Sequence, residues 1–579
     1  MAVRRGVLLV FLLIGLAMMV SMGGLMLVAL MAPPPVSVPQ NSTLYLPLKA
    51  PFSEVEPADV ISQLVRRDPT LREALQAIDK AKRDSRVKTL VFTPSTVGAL
   101  WAQVQELRAA LADFKSSGKP LTAYMEFGST QDYYMASVAD RIVMMPAGQL
   151  DLTGVATYEV FFRGTFDKIG VQPDLLHIGD YKTAANTFTE RGFTKAHREM
   201  SESLNRDWYD EVVRAVAQAR KKTPDEIRAA IDAGPYLPDG ALKAGLIDAI
   251  QYEDQLDDEG AAKGTRRLDA EMYQRATVAS PPRTSGARIA LLYAVGTIQS
   301  GQSPNEGTTG VVGSETFNEW LRKVRVDSSV RAIVVRIDSP GGSAIASEAM
   351  WRELMLTREA KPLVVSMGDV AASGGYYMAV PAHTIVAQAG TLTGSIGVVT
   401  GKFVLDGTME KIGVGTEAVA DGRMAQIYSP FRTFTAEERA KLEEQMQHTY
   451  DLFLGRVAEG RKSTKDKIHA VAQGRVWTGL QAQQRGLVDE IGGLDRALQI
   501  AKERARLDVT KDVDLLVYPQ KPSVFELLAN PLGTSAAGAS VLDVLLRRPE
   551  ARALEQHAPA IFRFRRGEML ALMPNIFLR

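Results

Sequence analysis

Apolar positions along this chain follow two rhythms. From Leu71 to Arg83 and from Leu100 to Phe114 they recur every three or four residues, the spacing of one helix face. Thr43–Leu48, Val87–Phe92 and Lys119–Met125 are short apolar runs of strand character. Strands and helices alternate, which predicts βαβ units with right-handed crossovers around a largely parallel sheet, an α/β fold.

The same order recurs in the second half. Arg331–Ile337 corresponds to Val87–Phe92, and Lys361–Met367 to Lys119–Met125. Tyr376–Ala379 repeats Tyr133–Ala136 letter for letter, Leu392–Gly394 answers Leu152–Gly154, and Gly486–Ile491 answers Gly245–Ile250. A period this long suits a duplicated domain rather than a solenoid. The expected layout is one repeat over 45–278, a linker at 279–286 (Ala-Ser-Pro-Pro-Arg-Thr-Ser-Gly), a second repeat over 287–510 and an extension over 511–579. A chain of 579 residues is in any case too long for a single core.

The N-terminus adds an expectation of its own. After residues 1–5, which hold Arg4 and Arg5, residues 6–32 are uncharged and rich in Leu, Met and Val. As a helix this run spans about 40 Å, enough to cross a hydrocarbon core of about 30 Å with tilt. Its length and its end at Pro33-Pro-Pro favour an uncleaved transmembrane signal anchor over a cleaved export signal. The arginines place the N-terminus in the cytoplasm. The rest then lies outside it, in the periplasm of a cell with two membranes, held at the inner membrane.

Composition narrows the chemistry. Lys and Arg number 68 against 67 Asp and Glu, which gives no support for a nucleic-acid partner. The absence of Cys removes disulfides, thiolate nucleophiles and cysteine metal sites. The six His fall at no metal-ligand spacing, so neither metal nor cofactor is expected.

Candidate chemistry gathers in the second repeat. The strand-like Pro362–Met367 leads into Gly368-Asp-Val-Ala-Ala-Ser-Gly-Gly375, a small-residue corner before a helix-like segment. This places Ser373 on a tight turn where Gly374 and Gly375 allow close approach to the backbone. Upstream, Asp338-Ser-Pro-Gly-Gly-Ser343 presents backbone N–H groups near a helix start, suited to a phosphate or a developing oxyanion. Both turns belong on the same edge of a parallel sheet. The first repeat has Thr130-Gln131-Asp132 and Thr93–Val97 at these places, so it lacks both glycine turns. Conversely, Lys182 of the first repeat stands opposite Arg423 of the second.

A serine hydroxyl needs a base before it attacks a carbonyl. His383 is one candidate, although the duplicate carries Asp140 there and the position fits a strand start. Lysine serves if burial or neighbouring positive charge keeps it neutral. Lys182 lies in the polar-poor Tyr181–Ala185, which can be buried, yet the residues alone favour a solvated surface lysine.

Asp338-Ser-Pro-Gly-Gly342, Ala372-Ser-Gly-Gly-Tyr376, Thr391-Leu-Thr-Gly-Ser-Ile-Gly397 and Tyr181-Lys182 together resemble the long, duplicated form of the signal peptide peptidase A family, also called protease IV. The resemblance covers about residues 45 to 510. It implies two tandem Clp-protease/crotonase-like domains and a Ser-Lys dyad, with Ser373 the nucleophile and Lys182 the general base. Gly342 and Gly374 would supply oxyanion N–H groups, and Ser395 would orient the lysine amine. It also implies peptide substrates, remnant signal peptides among them, and a homo-oligomer, a tetramer, whose apolar bowl faces the membrane. A crotonase-type thioester enzyme and a non-catalytic membrane scaffold are the alternatives. In the extension, Ser540–Leu546 and Glu568–Leu578 are apolar-rich with arginines between them. They read either as an amphipathic surface helix or as a segment packed on its own domain.

Overall fold

The structure, a computed structural model, describes residues 37–56, 69–258, 263–276, 283–304, 310–520, 568–574 and 577–578. The apolar run 6–32 expected to be an anchor, and residues 521–567 of the extension, lie outside the described residues. Among the described residues no helix is long and apolar enough to cross a membrane.

The first half contributes β1 (Ser42–Lys49), β2 (Val87–Ser95), β3 (Leu121–Ser129), β4 (Arg141–Asp151), β5 (Thr157–Tyr158), β6 (Gln172–Ile178), β7 (Ala249–Ile250) and β8 (Arg266–Asp269). Six of them form a parallel sheet in the order β7-β4-β3-β2-β1-β8. The crossovers are α1 (Leu71–Arg83), α2 (Trp101–Lys115) and α3 (Thr130–Ala136). Local chemistry sets their ends. Thr70 caps α1, Glu73 accepts the Thr70 N–H in return (2.9 Å), and Lys80, Lys82 and Arg83 sit at the negative end of the helix. Leu71, Leu75 and Ile78 then form one buried stripe against the sheet.

The second half repeats the plan with β9 (Arg283–Val295), β10 (Thr297–Gln299), β11 (Val311–Gly313), β12 (Val330–Ser339), β13 (Gly341–Ser343), β14 (Leu363–Ala372), β15 (Thr384–Ala387), β16 (Leu392–Gly394), β17 (Val398–Val404), β18 (Val476–Thr478), β19 (Glu490–Ile491), β20 (Asp512–Tyr518), β21 (Leu570–Leu572) and β22 (Phe577–Leu578). An eight-stranded sheet runs β18-β16-β14-β12-β9-β20, with β15 and β19 branching from β14. β12 and β14 are buried on both faces, which is why they read as unbroken apolar runs. β9 starts at Arg283, so the polar stretch 279–286 ends inside an extended strand.

A third sheet, β11-β10-β13-β21-β17-β6, joins the halves. In it β6, from the first half, pairs antiparallel with β17, from the second, with Ile178 opposite Val398 and Gln172 opposite Val404. β21 lies between β13 and β17 and is antiparallel to both. Of the two readings of the tail, packing on its own domain holds for Leu570–Leu572, which form a strand rather than a surface helix. Strand edges to be filled, and burial of all three residues between them, outweigh any helical pattern in so short a segment.

A buried ionic cluster pins the halves together. Arg336 of β12, with no exposed surface, pairs with Glu54 (2.7 Å) and Glu106 (2.8 Å) of the first half. It also donates to Ser366 Oγ (2.9 Å) and the Met367 carbonyl (3.1 Å). Nearby, Gln103 N–H of α2 donates to Asp369 Oδ1 (3.0 Å), and Val370 N–H donates to Asp338 Oδ1 (2.9 Å).

Candidate active site

β14 extends beyond the apolar run seen in sequence, through Gly368–Ala372, and delivers the chain directly to Ser373. The helix α4 (Gly374–Ala379) begins at the next residue, so Ser373 alone turns the corner. It does so at φ 56° and ψ −112°, backbone strain of order 1–3 kcal/mol that the surroundings must hold in place. Two hydrogen bonds clamp it. Ser373 N–H donates to the Gly394 carbonyl (2.7 Å), and Tyr377 N–H donates to the Ser373 carbonyl (2.8 Å).

Lys182 arrives from the other half. Because β6 and β17 run antiparallel with Ile178 opposite Val398, the chain leaving β6 faces the chain entering β17. Lys182 is thereby set beside Ser395. Its Nζ lies 2.8 Å from Ser373 Oγ, 2.8 Å from the Ser395 carbonyl oxygen and 3.0 Å from Ser395 Oγ. Lys182, Ser373 and Ser395 have no exposed surface. Burial holds the Lys182 ammonium well below the ordinary lysine range, since charge is costly away from water. A neutral amine has two N–H bonds and one lone pair. With the two oxygens of Ser395 taking the N–H groups, the lone pair is left for the Ser373 hydroxyl proton.

The glycine turn of the second half adjoins this corner. A Cβ on Gly374 would lie 3.2 Å from both Gly341 Cα and Gly342 N, so the Gly342 and Gly374 backbones are immediate neighbours. Gly341, at φ 99°, has room only for hydrogen, because a Cβ there would meet Gly374 N at 2.7 Å and the Ala571 carbonyl oxygen at 2.0 Å. Two adjacent backbone donors beside a serine are what a developing oxyanion requires.

The sequence did not single out two other glycines. Gly179 (φ 97°) and Gly474 (φ 79°) let the lysine loop and the chain before β18 touch. A Cβ on Gly474 would stand 2.5 Å from Lys182 Cα, and one on Gly179 would stand 2.3 Å from the Gln473 carbonyl carbon. Nothing in the local sequence flags Gly474, because its partner is distant in the chain.

The other candidates stand elsewhere. His383 Nδ1 accepts Leu363 N–H (3.1 Å) at the end of β14 opposite to Ser373. Arg423 is exposed and pairs with Glu437 (3.1 Å). At the matching corner of the first half, Thr130 Oγ1 accepts the N–H groups of Thr153 and Gly154, both at 3.2 Å, so its hydroxyl is tied to backbone rather than to a base.

The profile described as peptidase family S49 matches residues 113–264 and again 355–508, once in each repeat. The chain belongs to peptidase family S49. Among its S49 relatives, the chloroplastic serine protease SPPA of Arabidopsis thaliana is 34% identical over 79% of this chain and 69% of its own. Protease 4 of Salmonella typhi is 33% identical over 80% of this chain and 76% of its own. A ClpP1 mutant from Listeria monocytogenes aligns with 36% of this chain and 94% of its own at 14% identity and a TM-score of 0.24, too slight a likeness to carry an argument. This S49 chain is therefore a serine protease in the long, duplicated form, which leaves the thioester-enzyme and scaffold readings without support.

Proposed function

We propose that the chain is a membrane-anchored endopeptidase that degrades remnant signal peptides and other apolar peptides with a Ser373–Lys182 dyad. The observation that carries this reading is the 2.8 Å contact between the Ser373 hydroxyl and a fully buried lysine amine, whose burial favours the neutral form. Ser373 Oγ attacks the scissile carbonyl carbon as Lys182 Nζ takes its proton. The oxyanion is held by the N–H groups of Gly342 and Gly374. The protonated lysine then gives its proton to the leaving amine, and the C–N bond breaks. A water deprotonated by the same amine attacks the ester carbonyl, the bond to Ser373 Oγ breaks as the lysine returns its proton to that oxygen, and the acid product leaves. Ser395 orients the amine throughout.

An apolar wall beside the dyad, formed by Ala184, Ala185, Val399 and Leu175, supports apolar substrates. The uncharged run 6–32 behind Arg4 and Arg5 supports an anchor in the inner membrane with the catalytic part on the periplasmic side. The tetramer implied by the resemblance belongs to the same proposal and is measured by mass photometry of the detergent-solubilised chain. The test of the chemistry is cleavage of a synthetic signal peptide in detergent micelles. Ser373→Ala and Lys182→Ala are each expected to abolish it while circular dichroism stays unchanged. Full turnover in either variant overturns the dyad.

A further inference from the structure

Three residues of the second half hold both sides of the lysine's seat. The Gln473 carbonyl accepts Tyr181 N–H (3.0 Å), Gly474 N–H donates to the Ile396 carbonyl (2.8 Å), and the Arg475 carbonyl accepts Ser395 N–H (2.8 Å). Ser395 and Tyr181, the residue before Lys182, thus hang from one short strap. A side-chain clasp closes over it. Glu199, on the first-half helix Lys195–Arg220, accepts Tyr181 O–H at Oε2 (3.0 Å) and the Arg475 guanidinium at Oε1 (2.8 Å). The guanidinium in turn lies over the rings of Tyr181 (4.6 Å) and Trp477 (4.4 Å). The bonds from Arg475 and Tyr181 hold the Glu199 carboxyl below its ordinary range. Lys195 and Arg485, the latter also over the Trp477 ring (3.8 Å), add positive charge nearby.

We propose that Glu199 and Arg475 are positioning residues for the lysine of the dyad: they clasp Tyr181 across the repeat boundary and keep the amine of the next residue seated between Ser395 and Ser373. The proposal rests on the Ser373–Lys182 reading above. The clasp stands where such a role requires. Lys182 Cα is already against Gly474, so the loop has no room on that side. Slack in Tyr181 therefore moves Lys182 off the strap that carries Ser395, and opens a path for water to a side chain with no exposed surface. Exposure separates this role from a purely structural one. The Glu199 side chain is 53% exposed, and an ion pair so close to water contributes little to stability. What the pair controls is placement, through Tyr181.

Steady-state kinetics on a short apolar peptide, measured across pH with the full-length chain, test the clasp. Glu199→Ala, an exposed substitution that leaves the melting curve in place, is the deciding variant. A displacement of about 1 Å costs about a hundredfold, and a looser seat costs part of that, so kcat at neutral pH is expected to fall about tenfold with KM nearly unchanged. Water admitted beside Lys182 stabilises its ammonium form. The midpoint of the pH–rate profile is therefore expected to move to higher pH, with kcat recovering as pH rises through it. Arg475→Ala is expected to show the same two changes. Glu199→Gln, which keeps an acceptor for Arg475 and a hydrogen-bond partner for the Tyr181 hydroxyl, is expected to restore most of the rate. Tyr181→Phe added to Glu199→Ala is expected to slow it no further, because the two remove one shared bond. Wild-type kcat and midpoint in Glu199→Ala overturn the clasp, and so does a kcat that falls with the midpoint unmoved, which marks a structural role alone. Lys182→Ala is run in parallel. If it still turns over, the dyad reading has failed; if it is inactive while Glu199→Ala matches wild type, only the clasp has failed.

Discussion

At Ser373 and Lys182 the fold spends stability on reactivity. Ser373 turns with positive φ, and Ser395 does the same at φ 51°; neither conformation survives without the clamps around it. Lys182 costs more. In the unfolded chain it binds a proton below about pH 10.4, whereas in the folded chain burial delays that to much lower pH. Between the two values the unfolded state holds the extra proton, so stability rises with pH by about 1.4 kcal/mol per unit. Lys182→Met is therefore expected to be more stable than wild type at neutral pH, by a margin that narrows as pH approaches 10, measured by urea unfolding across pH. Activity carries the same signature. The proposed dyad works with a neutral amine, so kcat/KM is expected to climb as pH rises through the depressed Lys182 value and then level off, read from a pH–rate profile. The sequence exposed the serine, because its corner is built from consecutive residues. Local pattern left the lysine as a surface residue, since burial of Lys182 is created by segments far from it in the chain, and the family resemblance alone singled it out.

Elements supply the coincidence that single residues cannot. The register of β6 on β17 decides where Lys182 lands, and Gly474 decides how closely it can come. Gly474→Ala would push a methyl against Lys182 Cα from a left-handed backbone. A displacement near 1 Å costs about a hundredfold in rate, so kcat is expected to fall by that order with little change in KM, checked by steady-state kinetics. Strand and helix identities were legible from periodicity. Their ends were less so, because β14 and the helix Ala344–Ala360 run on through small residues that carry little apolar signal. The strand at Leu570–Leu572 was illegible for another reason. Three residues have no period, and only the empty edges beside them select the extended form.

Across the whole molecule the duplication was readable, but its interlocking was not. The letter-for-letter match at Tyr133–Ala136 and Tyr376–Ala379 announces two repeats; nothing announces that a strand of one completes a sheet of the other. The ionic cluster shows how firmly they are joined. Arg336→Ala strands Glu54 and Glu106 without their partner in the interior and is expected to cost about 3–5 kcal/mol, measured by denaturant unfolding. Burial, reinforced by the charge of Glu54, pushes Asp338 up to about 6. The folded chain then holds an extra proton between about pH 4 and that value, so this group's contribution to stability falls as pH rises through the window. Asp338→Asn, which still accepts from Val370 N–H, is expected to flatten that part of the stability–pH curve.

The two members of the proposed dyad are 191 residues apart in the chain and meet through the third sheet. A ribosome finishes the lysine long before it makes the serine, and neither can cut anything until both repeats have folded and docked. For an enzyme whose own unfolded backbone is a potential meal, this is a safety catch written into topology: the blade is assembled by the same event that puts the chain out of its reach.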